Sequence, residues 1–204
     1  MHEVALFGED VGHETLLTAL LNRFAHDYGV AIHIRTFSSR GGFTKVHFEF
    51  SKFLKDVQDG KLQPSPDLIV LATDSNCLGY TKRRQQMMEI ADKYVGLKDR
   101  VSYAVPDPHV ERWMLVDPAA FKAVLGRGCT LPKMKCEKDE YKHLLEEEIR
   151  AAGQTPLIGG FEYAEDIVNE MNLATAETKE PSLEKILKDL RGRFNQWKNA
   201  QTDC

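Results

Sequence analysis

The stretch "DLIVLAT" at residues 67–73 constrains the fold more than any other part of the chain. It is apolar at nearly every position, whereas a strand with one face in water alternates apolar with polar residues. A short run of this kind is a strand buried on both faces, and such strands belong to parallel sheets covered by helices on both sides. The neighbouring sequence repeats the theme. Residues 3–8 form a first apolar run, "VAIHIRTF" at residues 30–37 a second, and "VSYAV" at residues 101–105 a fourth. Helical spacing separates them: Leu17, Leu20, Leu21, Phe24 and Tyr28 within residues 13–28, then Val46, Phe50, Phe53 and Val57, then Met87, Ile90, Ala91 and Tyr94. Strand-helix alternation predicts an α/β fold with a mainly parallel four-stranded sheet flanked by helices.

The remainder of the chain is helical in pattern. A charged helix is predicted over residues 137–153, another carries Tyr163, Ile167 and Met171, and "ATAETKE" reads as a polar stretch leading to Pro181. Ser182 is placed to cap a last helix, on which Leu183, Ile186, Leu187, Leu190, Phe194 and Trp197 form one apolar stripe. The division expected is an α/β domain over residues 1–136 and a helical C-terminal extension over residues 137–204, packed on it.

Three loops leave the carboxyl ends of strands, where open parallel sheets gather function. The first carries Glu9, Asp10, His13 and Glu14; the second is "TDSN", with Asp74 and Asn76; the third carries His109 and Glu111. Acidic groups beside a helix start also complement its dipole, so Glu9 and Glu14 have a structural use as well. Oxygen donors converging from several strands suit a hard cation such as magnesium. After none of the strands does a glycine-rich phosphate loop or paired-glycine dinucleotide fingerprint follow, which weakens the nucleotide-fold readings that would otherwise compete.

These residues resemble a known family. A glutamate after the first strand and an aspartate-x-aspartate pattern after a later buried one are the marks of TOPRIM domains. Together "FGEDVGHETLL", "DLIVLATDSN" and "VPDPHVERWMLVDPAAF" look like small TOPRIM-like proteins related to the overcoming-lysogenization-defect nucleases of phage-defence systems. On that match Glu9 and Glu14 take the first motif, Asp74 the second, and Glu111, Trp113 and Asp117 the third, over residues 1 to about 145. Two positions depart from the pattern: Asp10 stands where the family has glycine, and Asn76 replaces the second aspartate.

The resemblance implies a magnesium-dependent nuclease (manganese can substitute) that hydrolyses phosphodiesters of DNA or RNA, together with an ATPase partner in phage defence. Glu9, Asp74 and Glu111 would be catalytic, with Asn76 joining them as metal ligands. His13, Glu14, Arg40 (in the loop "SSRGG"), Lys82 and Arg83 are the candidates for substrate binding. The alternative is a non-catalytic subunit that keeps the fold for binding or assembly; a primase-type transferase lacks the template and zinc modules it would need.

Charge and cysteines bound the remaining classes. The net charge of −4 means that any nucleic-acid contact needs a local basic patch, for which Lys82-Arg83-Arg84 and the string Arg127, Lys133, Lys135 and Lys138 are candidates. No run of ~18 apolar residues exists, so no membrane span is expected. The opening "MHEVALFGED" lacks the basic flank and apolar core of a secretion signal, and the cytoplasm is the expected compartment. Cys77, Cys129, Cys136 and Cys204 have no close pair in sequence, so four unconnected reduced thiols are expected there.

Overall fold

The structure is a computed structural model that describes residues 1–38, 43–137 and 139–202. Its centre is a parallel four-stranded sheet in the order β2-β1-β3-β4, built from β1 (His2–Gly8), β2 (Ile32–Ser38), β3 (Leu68–Ala72) and β4 (Val101–Ala104). Side chains alternate across a pleated strand, and here both alternating sets are buried. Val4 and Leu6 of β1, with Leu68, Val70 and Ala72 of β3, enter one core. Ala5 and Phe7, with Ile69 and Leu71, enter the other. That two-sided burial is the physical reason for the unbroken apolar runs in the two central strands.

Helices α1 (Val11–Tyr28), α2 (Phe43–Gln58) and α3 (Tyr80–Ala91) follow β1, β2 and β3 in turn. Phe50, Phe53 and Leu54 of α2 and Met87 and Ile90 of α3 fill the second core, while the larger first core lies under α1. Capping sets the limits of α1. Asp10 has extended backbone and accepts from the His13 amide, and Gly29 ends the helix at φ +65°, where its N–H reaches the carbonyls of Ala25 and His26.

Beyond β4 come α4 (Glu111–Met114), α5 (Pro118–Leu125), α6 (Glu140–Ala151), α7 (Ala164–Glu170), α8 (Leu173–Lys179) and α9 (Pro181–Thr202). Proline opens α5 and the Asp117 carboxylate caps it, accepting from the amides of Ala119 and Ala120. The second oxygen of Asp117 accepts from the Asn172 amide at 2.8 Å, which ties α5 to the start of α8.

The stripe on α9 is buried against its own chain: Leu183, Ile186, Leu187, Leu190 and Phe194 all lie in the first core with α1 and the sheet. The Phe194 ring sits 5.6 Å from that of Phe24, and Trp197 stacks on His2 at 4.3 Å. Burying each such side chain stabilises the fold by about 1.5–3 kcal/mol, so the helices α6 to α9 share the core of the sheet domain.

Three expectations are corrected. All of the stretch "ATAETKE" but its last residue, Glu180, lies in α8, because Asn172 supplies a cap by accepting from the Thr175 amide and Ala176 is buried. Ser182 is not the cap of α9. The helix begins one residue earlier, at Pro181, and the Ser182 hydroxyl is buried in a polar network with Glu180 and Trp113. Cys77 and Cys136 are joined in a disulfide across 59 residues, because the segment after α5 folds back over the turn that follows β3 and brings their Cα atoms within 5.4 Å. Cys129 is a buried free thiol, and Cys204 lies outside the described residues. Among the described residues no helix is long and apolar enough to cross a membrane.

Candidate active site

Asp74, two residues past the end of the buried β3, is the hub of the carboxyl-end loops. Its Oδ1 accepts from His13 Nε2 at 3.0 Å and from the Val110 amide at 2.9 Å, and its Oδ2 meets His109 Nδ1 at 2.9 Å. His13, fully buried in the first turn of α1, is held on its other side by Asp10, 2.8 Å from Nδ1. A carboxylate at each ring nitrogen makes both nitrogens donors, which is the imidazolium form. Burial opposes that charge, but Asp74 and Asp10 outweigh it and raise the His13 pKa well above 6.5. In return, burial pushes the Asp10 carboxyl up while the His13 contacts bring it down to about 2, and Asp74 is also lowered against its burial by His13 and His109. The hydrogen bond to Asp74 raises His109 against the desolvation of its ring.

Glu111 behaves in the opposite way. Burial, helped by the neighbouring Asp74 charge, pushes its carboxyl up to about 7, against an ordinary value of 4.5. Asp74, Asn76, His109 and Glu111 line one cavity of about 470 Å³ with Asp10 and the first residues of α1. Asp139 and Lys142 close it from the start of α6. The N-terminus of α1 adds a partial positive charge to that wall, which favours an anionic ligand.

The strand ends therefore bring together most of the expected residues. The Glu9 carboxylate accepts from the Thr73 hydroxyl and, at 3.2 Å, from the Asp74 amide, so it braces the β3 loop from behind. Arg83 is not on the surface. It is buried, with Nε donating to the Asp74 carbonyl at 3.0 Å and Nη1 to Gln86, and thus supports the loop. Lys82 is exposed. Glu14 does not line the Asp74 cavity; with Thr15, Thr18 and Glu165 it lines a separate one, and its Oε1 is buried without a hydrogen-bond partner. Arg40 lies outside the described residues. Trp113 is 1% exposed and donates to Ser182 Oγ at 2.8 Å, so it is a core residue.

Asn76 has φ +50°, the left-handed region that asparagine tolerates, and its amide donates to the Asp74 carbonyl at 3.5 Å. The roles of Asp139 and Lys142 had no signal in a sequence that reads there as an ordinary charged helix. Asp10 was visible as a member of the first strand-end loop and as a departure from a glycine, with nothing to mark it as the second partner of His13.

As folded, this donor set does not fit a magnesium ion. Both oxygens of Asp74 are engaged by two imidazoles and an amide, and one oxygen of Glu9 is shared by a hydroxyl and an amide. Among the described residues no three His, Cys, Asp or Glu side chains are arranged to hold a metal. A cation at Asp74 would have to displace a hydrogen bond from His13, His109 or Val110.

Fold and cavity together define an α/β protein with a polar acid-imidazole site beyond the carboxyl ends of a parallel sheet. The chain belongs to the family described as "Domain of unknown function (DUF4276)", whose model matches residues 8–191. No curated protein and no solved structure matches it.

Proposed function

We propose that this protein is a nuclease that hydrolyses phosphodiesters in the cavity between Asp74 and Glu111. The observation that carries the reading is the Glu111 carboxyl, held at about 7 by burial and by the adjacent Asp74 charge in the cavity that His109 also lines. A carboxyl with that affinity for protons is matched to general-base work near neutrality. In the step proposed, Glu111 takes a proton from a water that attacks phosphorus. The His109 imidazolium, oriented by Asp74, gives a proton to the leaving oxygen as its bond to phosphorus breaks. Lys142 and the start of α1 balance the phosphate charge. Resemblance of the motifs around Glu9, Asp74 and Glu111 to TOPRIM nucleases supports the same reaction class. It also extends the reading to a cytoplasmic effector in phage defence, working with an ATPase on DNA or RNA.

A second reading, a non-catalytic assembly subunit, is favoured by the saturation of Asp74 and by Asn76 in place of a carboxylate. The two are separated by assaying a chromogenic phosphodiester and labelled DNA and RNA oligonucleotides, with and without magnesium or manganese. Hydrolysis that rises with pH through about 7 and is lost in Glu111→Gln supports the nuclease. Full activity in a folded Glu111→Gln protein removes Glu111 as the base, and no hydrolysis under any condition favours the assembly subunit. An absolute need for a divalent cation would mean that Asp74 exchanges its imidazole hydrogen bonds for the ion.

A further inference from the structure

The chain as a whole carries a net charge of −4, yet one groove is basic. It lies at the open edge of the sheet, along β4, between α3 and α9, with a volume of about 730 Å³. Arg84 of α3 and Lys185, Lys188 and Arg193 of α9 line it, against the single carboxylate of Asp189. The first and last of the three α9 cations are eight residue steps apart, about 12 Å of helix, so they form a row along the groove and not a point cluster.

The groove also offers aromatic surface. Tyr80 and Tyr103 line it, and the Arg84 guanidinium lies 5.4 Å from the centre of the Tyr103 ring. Burial, with the charges of Asp92 and Asp189, pushes the Tyr103 phenol up to about 12, so it remains a hydrogen-bond donor at any physiological pH. A row of cations beside aromatic rings is the chemistry that holds a sugar-phosphate backbone and its bases without reading sequence. An acidic peptide would satisfy the charges but has no flat bases to set against the rings.

Position links this groove to the Asp74 cavity. Tyr80 opens α3, and its amide donates to Asp107 Oδ2 at 3.3 Å. The other oxygen of Asp107 accepts from Ser75 Oγ at 2.6 Å, and Ser75 directly follows Asp74. The Asp107 amide in turn donates to Ser182 Oγ at 3.2 Å, less than one helical turn before Lys185. One end of the groove is thereby fixed to the loops that carry the site.

We propose that this groove holds the backbone of a single-stranded nucleic acid whose scissile phosphodiester lies in the Asp74 cavity; the proposal rests on the nuclease reading and names the substrate class. The test measures binding of dye-labelled single-stranded DNA and RNA oligonucleotides by anisotropy over a salt series, for the parent and for the triple variant Arg84→Gln, Lys185→Gln, Lys188→Gln. Each phosphate contact contributes about 0.7 to the slope of log affinity against log salt. The variant should therefore lose about 2 from that slope and bind at least about tenfold more weakly at low salt, with an unchanged melting temperature and unchanged hydrolysis of a small chromogenic diester. Equal affinity and slope in the two proteins would overturn the proposal, as would a parent that binds no oligonucleotide. Displacement of the oligonucleotide by an equal charge concentration of polyglutamate would overturn it in favour of an acidic peptide. Hydrolysis of the small diester, with its dependence on Glu111, decides the nuclease reading separately.

Discussion

Arg112 and Glu180 form an ion pair, at 2.5 Å between Nε and Oε2, in which Arg112 is 5% exposed and Glu180 fully buried. Arg112 also donates to the Pro132 carbonyl at 2.7 Å, and Glu180 Oε1 accepts from the Ser182 hydroxyl at 2.7 Å and the Ser182 amide at 3.4 Å. Replacing Arg112 with methionine preserves most of the side-chain volume but leaves the Glu180 charge buried without its partner. Breaking a buried pair in this way costs about 3–5 kcal/mol, a large share of the about 5–15 kcal/mol that holds a domain folded. Removing both charges in Arg112→Met, Glu180→Met eliminates that penalty. What remains is the loss of an acceptor for Ser182 and of the donor to the Pro132 carbonyl, each about 1–3 kcal/mol for a buried polar group left unsatisfied. The double variant should thus be more stable than Arg112→Met alone. Urea unfolding of the parent, both single variants and the double variant, without reductant, measures the cycle. A double variant less stable than Arg112→Met by the full cost of Glu180→Met would show that the two charges do not compensate each other. Since Arg112 directly follows Glu111, the same variants should also lower activity by loosening the helix that presents the base.

Reducing the Cys77–Cys136 disulfide should lower stability by about 4 kcal/mol on the chain-entropy argument for a loop of this length; an unfolding midpoint unchanged by reductant would contradict it. The charged triad of Asp10, His13 and Asp74 gives stability a pH signature. The raised His13 contributes stability that is complete below pH 6.5 and lost as pH rises through its higher folded value, whereas Asp10 contributes stability present above 3.8 and lost as pH falls through about 2. Glu111, raised from 4.5 to about 7, adds to the fall of stability with rising pH between those values, so the difference between the urea midpoints of the parent and His13→Gln across pH reports the histidine together with the carboxylates it touches. Parallel curves would refute the charged form of His13. Gly160→Ala should destabilise by about 1–3 kcal/mol, because its φ is +97° and the added Cβ would lie 2.2 Å from Ile149 Cδ1; a melting temperature equal to that of the parent would refute the packing described there.

The sequence by itself determined the parallel α/β fold, because a doubly buried strand must be apolar at every position and helices must repeat near every third or fourth residue. It also marked the three strand ends that carry Glu9, Asp74 and Glu111, since parallel strands deliver their following loops to one side of the sheet. Tertiary structure alone decided what those residues do there. Nothing in the sequence around His13 shows that two carboxylates, one of them 61 residues away, hold its ring. Arg83, read as a surface cation, turns inward to the Asp74 carbonyl because the start of α3 packs against the same loop. Cys77 and Cys136 meet only when the segment after α5 folds back across the site. Local patterns record which residues avoid water; charge states, buried pairs and cross-links depend on atoms brought together from distant parts of the chain, and their energies have no value until that approach is made.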